Sequence, residues 1–109
     1  MGNEMTKNEN LYHKGLRRYF AHASEQPNFF PTHLSMLIAL VQCCSYQDLT
    51  LPFNVSRKTL MRFSRIKSVS TYHKNIRELK ESGFIKYKPS WHPKLGSEVK
   101  LNIELEKNF

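Results

Sequence analysis

The spacing of apolar residues changes at Gly83, and this change constrains the fold more than any other feature of the sequence. Before Gly83, apolar residues recur every three to four positions, as they do along one face of an amphipathic helix. After Gly83, apolar and polar residues alternate, as they do along a half-buried β-strand. The sequence therefore predicts a run of helices followed by a β-hairpin.

Two helices and a short strand are predicted in the first half of the chain. A polar stretch, 1–9, is expected to be disordered, and an amphipathic helix follows over 10–23. Thr32 is expected to cap a second helix that runs to about Tyr46. Residues 49–53 alternate and contain Pro52, which is typical of an edge strand. The apolar stripe expected to be buried on the second helix comprises Leu34, Leu37, Ile38, Val41 and Cys44.

Two further helices are predicted on either side of a tight turn at 65–67. Ser56 and Ser68 are expected to cap the third and fourth helices, and Gly83 is expected to end the fourth. The inward residues expected of the third helix are Leu60 and Phe63, with Met61 and Ile66 as further candidates. Those expected of the fourth helix are Val69, Tyr72, Ile76 and Leu79.

The hairpin is predicted over 84–105, with a long loop at 89–97 that contains two prolines and Gly96. Its second strand is expected to place Val99, Leu101, Ile103 and Leu105 on one face. Two helices joined by a short turn and followed by a hairpin describe a winged helix-turn-helix. The predicted fold is mainly α with a small β-sheet: one domain over 10–109, with a three-helix core, a hairpin wing and an extra N-terminal helix.

Positive charge is concentrated in the second half of the chain. Residues 1–52 carry four basic and four acidic side chains, whereas residues 53–109 carry thirteen basic and five acidic ones. The whole net charge of +8 therefore lies after residue 52. A one-sided excess of this kind indicates a polyanionic partner, and we expect double-stranded DNA.

The stretch from Ser68 to Ile85 resembles the recognition helix and first wing strand of winged-helix transcription regulators. It opens with Ser-Val-Ser-Thr, places apolar residues at helical spacing, and passes through Gly-Phe-Ile into a strand. A closer resemblance, from about Leu16 to Leu101, is to small winged-helix proteins of Bacteroidetes that accompany mobile elements. This resemblance implies a DNA-binding regulator. Its clearest segments are 31–35, 56–58, 71–74, 87–90 and 96–97.

Helix geometry separates the functional residues expected on the fourth helix, 68–82, from its core residues. The first turns of a recognition helix enter the major groove. There Arg77 can donate two parallel hydrogen bonds to one guanine, and Lys74 can donate a single charged hydrogen bond. Cations on the third helix and the turn are expected to bind phosphates, which fix orientation but carry no sequence information. The expected base-contacting residues are Ser70, Thr71, His73, Lys74 and Arg77. The expected phosphate-contacting residues are Ser56, Arg57, Lys58, Arg62, Arg65, Lys67 and Ser68.

The wing is expected to contact the minor groove or flanking phosphates. Trp91 has two interpretations: it packs under the loop as a satellite of the core, or it touches a DNA sugar or a partner chain. The helix at 10–23 also has two interpretations, since it either packs on the core or forms a homodimer contact through Leu11, Tyr12, Tyr19 and Phe20. The expected wing residues are Lys88, Ser90, Trp91, His92, Lys94 and Ser97.

Catalysis is not expected. The sequence contains no P-loop, no dinucleotide-binding glycine pattern and no nucleophile elbow, and its two S-x-x-K matches are attributed to chance. The histidines include no H-x-x-x-H pair, and no cofactor, metal or small-molecule ligand is expected.

Cys43 and Cys44 are neighbours that cannot easily form a bridge, so two buried thiols in a reduced cytoplasmic protein are expected. No apolar run is long enough to span a bilayer.

Three alternatives to a transcription regulator remain open from the sequence. An accessory factor for excision, recombination or replication of a mobile element would use the same fold and the same basic surface. A winged-helix protein-interaction module would not need twelve basic against three acidic side chains between Arg57 and Lys100. A non-specific RNA binder would be expected to carry an aromatic platform, which the short basic helix lacks.

Overall fold

The computed structural model describes residues 3–44, 48–90 and 95–103, with side chains from Lys14 onward. Within these ranges the fold is α+β, with four helices and one three-stranded antiparallel sheet. The chain divides into two units: residues up to Phe29 with those from Ile103 onward, and Phe30–Asn102. The helices are α1 (Asn3–Ser24), α2 (Pro31–Cys43), α3 (Arg57–Ser64) and α4 (Val69–Glu81), and the strands are β1 (Phe53–Val55), β2 (Ile85–Lys88) and β3 (Ser97–Leu101).

The predicted N-terminal helix is present, but it begins at Asn3, seven residues before the start expected from apolar spacing. Residues 3–9 lack an apolar stripe, yet they contain no proline or glycine that would end a helix. Along the described part of α1, Gly15, Tyr19 and Ala23 are buried at every fourth position. This spacing is that of one helix face, as expected for an amphipathic helix.

The cap of α2 is Phe30, and the prediction of Thr32 as the cap is wrong. Pro31 takes the first helical position, where its fixed φ suits the helix and its missing N–H is not needed. The backbone N–H of Phe30 donates to Nδ1 of His33 at 2.9 Å. The imidazole thus plays the part that Glu or Gln plays at the third position of a capping box.

The predicted buried stripe of α2 is confirmed at Leu37 and Cys44 but is wrong at the other three positions. Leu34 and Ile38 are 39% and 44% exposed, and Val41 is half-buried. Because α2 carries no charged residue and has apolar side chains all around it, apolar spacing alone does not select its inner face. The helix also ends at Cys43, before the expected end near Tyr46, which lies outside the described residues. The residues that α2 and its C-cap bury are His33, Met36, Leu37, Ala39, Leu40 and Cys44.

The predicted serine caps of α3 and α4 are confirmed. The Thr59 N–H donates to Ser56 Oγ at 3.1 Å, and the Thr71 N–H donates to Ser68 Oγ at 3.3 Å. Gly83 follows the end of α4 with φ of 83°, as a C-terminal stop requires. The inward residues Leu60, Ile66, Tyr72, Ile76 and Leu79 are all buried, as predicted.

Two residues predicted to point inward are exposed instead. Phe63 is 43% exposed, and its ring lies 5.0 Å from the Arg62 guanidinium carbon. Ser64, four residues after Leu60, takes the inward position on α3, where its carbonyl accepts a hydrogen bond from the Ser35 hydroxyl of α2. Val69 is 44% exposed because it occupies the first position of α4, before that helix contacts the core.

The sheet has the order β1-β3-β2, with both pairs antiparallel. The hairpin formed by β2 and β3 is confirmed, and its pairing sets Tyr87 opposite Val99. The edge strand β1 begins at Phe53, whereas the alternation had placed it over 49–53, before and across Pro52. Val99, Leu101 and Ile103 are buried as predicted, and Leu105 lies outside the described residues. Among the described helices, none has the length and apolar character required to cross a membrane.

Candidate nucleic-acid interface

The outward face of α4 is formed by Ser70, Lys74 and Arg77, which are all exposed. These residues are four and three positions apart, so their side chains project from one side of the helix. The opposite side carries Tyr72 and Ile76, which are 2% and 4% exposed. The two faces of α4 are therefore separated, with hydrogen-bond donors outside and the core inside.

The other two base-contacting candidates lie beside this outward face. His73 is exposed, and its ring meets the Tyr72 ring edge-on at 5.2 Å between centroids. Thr71 is half-buried, and its backbone carbonyl accepts a hydrogen bond from Nδ2 of the buried Asn75 at 2.8 Å. His73 is thus positioned by an aromatic contact, whereas Thr71 lies closer to the core.

A hydrogen bond between His33 of α2 and Glu78 of α4 joins the candidate recognition helix to α2. His33 Nε2 lies 2.7 Å from Glu78 Oε1, and the His33 ring is almost completely buried. Because His33 Nδ1 accepts the Phe30 N–H, Nε2 carries the ring proton and donates to the carboxylate. One imidazole therefore both caps α2 and holds α4 against it.

Cations cover α3 and the turn that precedes α4. Arg65, in the turn, adopts a left-handed φ of 65°, which reverses the chain between the two helices. The Ser56 and Ser68 hydroxyls, expected to assist phosphate binding, serve as helix caps, and Ser68 Oγ also lies 2.9 Å from Ser70 Oγ. The exposed phosphate-contacting candidates are Arg57, Lys58, Arg62, Arg65, Lys67 and Ser68, while Ser56 is half-buried.

The electrostatic character of this region is uniform. Between Arg57 and Arg77 the chain carries seven basic residues and no acidic one. Glu78, the first acidic residue after this segment, is engaged with His33. The stretch from Arg57 to Arg77 therefore presents positive charge without a carboxylate of its own, and the two acidic residues of α4, Glu78 and Glu81, lie in its last turn.

A chain of hydroxyl groups connects α4 to both strands of the hairpin. Tyr72 on α4 shares a hydrogen bond with Tyr87 on β2. The Tyr87 hydroxyl in turn lies 2.8 Å from Ser97 Oγ on β3. Burial, the neighbouring Tyr87 and this hydrogen bond raise the pKa of Tyr72, against a smaller opposing effect from Arg57. Tyr72 therefore stays a neutral hydroxyl at physiological pH.

The end of the hairpin loop, just before β3, lies directly against the start of α3. Gly96 adopts φ of +72°, and a Cβ added there would lie 2.4 Å from the Val55 carbonyl oxygen. It would also approach the Ser56 nitrogen to 2.8 Å. Only glycine fits this contact, which sets the hairpin against the β1–α3 junction.

The predicted wing residues do not form a single group. Lys88 and Ser90 are exposed, and Lys88 lies opposite Glu98 in the strand register. Ser97 is half-buried and bound to Tyr87, so it belongs to the internal hydroxyl chain and not to the loop tip. The remaining predicted wing residues, Trp91, His92 and Lys94, lie outside the described residues.

Of the four residues predicted to form a dimer contact, the structure describes the side chains of Tyr19 and Phe20. Tyr19 is buried, which raises its pKa, and Phe20 is half-buried with its ring 5.7 Å from the Tyr19 ring. Leu11 and Tyr12 precede the first described side chain.

The two neighbouring cysteines are free and differ in exposure. Cys44 is buried as expected, whereas Cys43 is half-buried. Burial raises the pKa of both thiols, so both are protonated at neutral pH and are poor nucleophiles. Among the side chains that the structure describes, no three His, Cys, Asp or Glu residues are grouped as a metal site would require.

Two features of the site were not anticipated from the sequence. The His33–Glu78 contact joins residues 45 positions apart, and no local pattern indicates such a pair. The Tyr87–Ser97 contact joins neighbouring strands, and a correct hairpin register would have indicated it.

Comparison with protein-family models, with characterised proteins and with solved structures finds no match for this chain. Its function is therefore inferred from its own residues, above all from the separated faces of α4 and the uniform charge of α3 and the turn.

Proposed function

We propose that this chain is a winged-helix protein that binds double-stranded DNA sequence-specifically and regulates transcription. In this proposal α4 enters the major groove, and the β2–β3 hairpin is the wing. The observation that carries the proposal is the outward face of α4, Ser70, Lys74 and Arg77, within a segment that has seven cations and no acid.

The element order supports a winged helix-turn-helix. Phe30–Asn102 contains helix, strand, helix, turn, helix and two strands, in that order. The turn between α3 and α4 is four residues long, from Arg65 to Ser68, as in helix-turn-helix motifs. In such motifs the second helix is the one that reads base edges.

The side chains on α4 suit base recognition. Arg77 can donate two parallel hydrogen bonds to guanine O6 and N7, and Lys74 can donate to the same atoms as a single charged group. Because Tyr72 and Ile76 anchor the opposite face in the core, the outward side chains project from a fixed helix. A helix that is already held in place loses less conformational freedom on binding, which favours specific over non-specific contact.

The cations of α3 and the turn suit backbone contact. Arg57, Lys58 and Arg62 are exposed on α3, the helix that crosses the DNA backbone in this class of motif. Their contacts would supply affinity and register, while α4 supplies sequence preference. Affinity of this kind falls steeply with salt, because each phosphate contact releases condensed counterions.

One observation favours protein–protein interaction as a second candidate function. Phe30, Leu34 and Ile38 are 55%, 39% and 44% exposed and follow one another every four residues at the start of α2. A stripe of this kind on a helix is typical of surfaces that contact another protein. It would serve a module without a DNA role, or a DNA-binding protein that also has a protein partner.

The test is a fluorescence-anisotropy titration of labelled random-sequence duplex DNA at several salt concentrations. With ~4–7 phosphate contacts, we expect log K to fall against log salt with a slope of roughly −4 to −6. A preferred site is then selected from a random library. Arg77→Ala is expected to lose about 1–3 kcal/mol of discrimination at one base position while its melting temperature is unchanged.

Lys80→Ala is the matched control, since Lys80 is an exposed cation on the same helix but at its C-terminal end. It should keep the base preference of the parent chain. If the parent binds no duplex at low salt, DNA binding is excluded and the apolar stripe on α2 becomes the functional surface. If the parent binds but Arg77→Ala and Lys74→Ala keep its full preference, the assignment of α4 as the recognition helix is wrong.

A further inference from the structure

The described part of α1 carries a second basic surface, away from α3 and α4 in sequence. Lys14, Arg17 and Arg18 are all exposed, and no acidic residue occurs between Glu9 and Glu25. The first half of the chain has equal numbers of basic and acidic residues, so its net charge of zero does not indicate this basic surface. The cations are concentrated within five consecutive residues.

The basic residues occupy the side of α1 that faces away from its buried side. Each helical residue turns by about 100°, so Arg17 projects roughly opposite to Tyr19. Lys14 lies close to Arg17 on this wheel, because the two are three positions apart. The buried side, Gly15, Tyr19 and Ala23, therefore fixes which side chains α1 presents to solvent.

A shallow depression lies on this basic side. Its volume is about 280 Å³, and the described residues that line it are Lys14, Arg17, Arg18 and Ala21. Ala21 is exposed and has the smallest side chain of the four, so space is left between the long basic side chains. An anionic group of modest size can enter there and meet more than one cation.

We propose that this basic face of α1 binds DNA backbone phosphates, as a contact additional to that of the α3–turn–α4 segment. The inference rests on the proposed function, and it assigns phosphate binding to a helix outside the helix-turn-helix. Lys14 and Arg18 are separated by about 6 Å along the helix axis. Each DNA strand presents a phosphate about every 3.4 Å of its axis, so the spacing allows contact with neighbouring phosphates.

The positive charges on this face of α1 favour DNA as its ligand. The same chain presents seven cations without an acid between Arg57 and Arg77, so both basic surfaces select for the same polyanion. Among the described residues, this face has no glycine-rich loop and no buried donor of the kind that forms a small-anion site, and its long exposed side chains suit a repeating line of charge. Contacts of this kind add affinity and salt dependence without adding sequence preference.

The test compares Arg17→Ala with Lys80→Ala, using the full chain and the labelled random-sequence duplex. Each variant loses one exposed cation of a helix, and Lys80 is not among the residues assigned to DNA contact. Alanine favours the helix, so α1 should keep its structure, which circular dichroism checks. Loss of one phosphate contact should make the salt slope less steep by about 0.9 and lower the affinity about 3- to 10-fold at 0.1 M salt.

Each outcome decides the inference. A reduced slope in the α1 variant and an unchanged slope in the control support it. Binding by the parent with the same slope in both variants overturns it and leaves the proposed function intact. No binding by the parent overturns both. If labelled poly-L-glutamate binds the parent and loses affinity with the α1 variant while the DNA slope is unchanged, the face belongs to an acidic protein and the inference is wrong.

Discussion

At the scale of single residues, Gly83 and Gly96 share a backbone conformation but differ in their surroundings. Both have positive φ, a conformation in which any residue with a Cβ is strained. A Cβ on Gly83 would meet nothing within 4 Å. A Cβ on Gly96 would overlap the backbone of Val55 and Ser56, which cannot move without displacing β1 or the start of α3.

We predict that Gly96→Ala destabilises the protein far more than Gly83→Ala. At Gly83 the change adds only left-handed strain, about 1–2 kcal/mol. At Gly96 a steric clash is added, for a total of about 3 kcal/mol or more. Urea unfolding of both variants measures the difference. Equal losses of unfolding free energy would show that Gly96 does not lie against the β1–α3 junction.

At the scale of elements, the tie between α2 and α4 depends on one buried side chain. His33 accepts from the Phe30 N–H and donates to Glu78, so its loss leaves two polar groups without their partner. Because the Glu78 side chain is 35% exposed and water can replace the lost partner, we expect a cost of about 1 kcal/mol for each hydrogen bond. The orientation of α4, and with it the projection of Lys74 and Arg77, is therefore sensitive to this pair.

A double-mutant cycle measures the pair directly. We expect His33→Ala and Glu78→Ala to be coupled by about 1–2 kcal/mol, within the range typical of residues in direct contact. Chemical denaturation of the parent, both single variants and the double variant provides the coupling energy. His33→Ala combined with Glu81→Ala is the control, since Glu81 is exposed on the same helix and should add within about 0.5 kcal/mol. Additivity of the first pair would contradict the contact.

The buried face of α4 was predicted better than that of α2, because the two helices differ in composition. On α4, charged and apolar residues alternate with helical spacing, so Tyr72, Ile76 and Leu79 were identified correctly. On α2, which has no charged residue, Leu34 and Ile38 were placed inside although they are exposed. A pattern identifies a face only where polar residues mark the opposite one.

At the scale of the whole molecule, two buried tyrosines link stability to alkaline pH. Burial raises the pKa of Tyr19 and Tyr72 above the value of 10.0 that an unfolded chain retains. Above about pH 10 the unfolded state therefore loses protons that the folded state keeps. Their contribution to stability is complete below pH 10 and is lost as the pH rises through the folded pKa values.

We predict that the free energy of unfolding falls above about pH 10, by up to about 1.4 kcal/mol per pH unit for each tyrosine. Urea titrations at a series of pH values between about 8 and 11 measure this slope. Tyr72→Phe should remove the contribution of one tyrosine from this slope, although the variant is less stable at every pH because the hydrogen bond between Tyr72 and Tyr87 is lost. Identical pH slopes for the parent and Tyr72→Phe would show that Tyr72 ionises equally in both states.

The candidate DNA surface could be predicted in its residue types but not in its arrangement. The exposure of Lys74 and Arg77 follows from helical spacing, and their role in base recognition stays a prediction. Ser97 was assigned to the wing tip, but it is the first residue of β3 and its hydroxyl lies 2.8 Å from that of Tyr87. The basic face of α1 was missed because charge was summed over the half-chain, where four acidic residues cancel four basic ones.

The sequence by itself determined the kind and order of the elements. Helix caps at Ser56 and Ser68, the stop at Gly83 and the alternation of β3 all act within a few residues, so local chemistry is sufficient to predict them. Tertiary structure alone decided which face of α2 is buried, how α4 is held by His33 and why Gly96 must be glycine. Each of these depends on contacts between residues far apart in the sequence, such as Ser35 with Ser64, His33 with Glu78 and Gly96 with Val55, which no local pattern encodes.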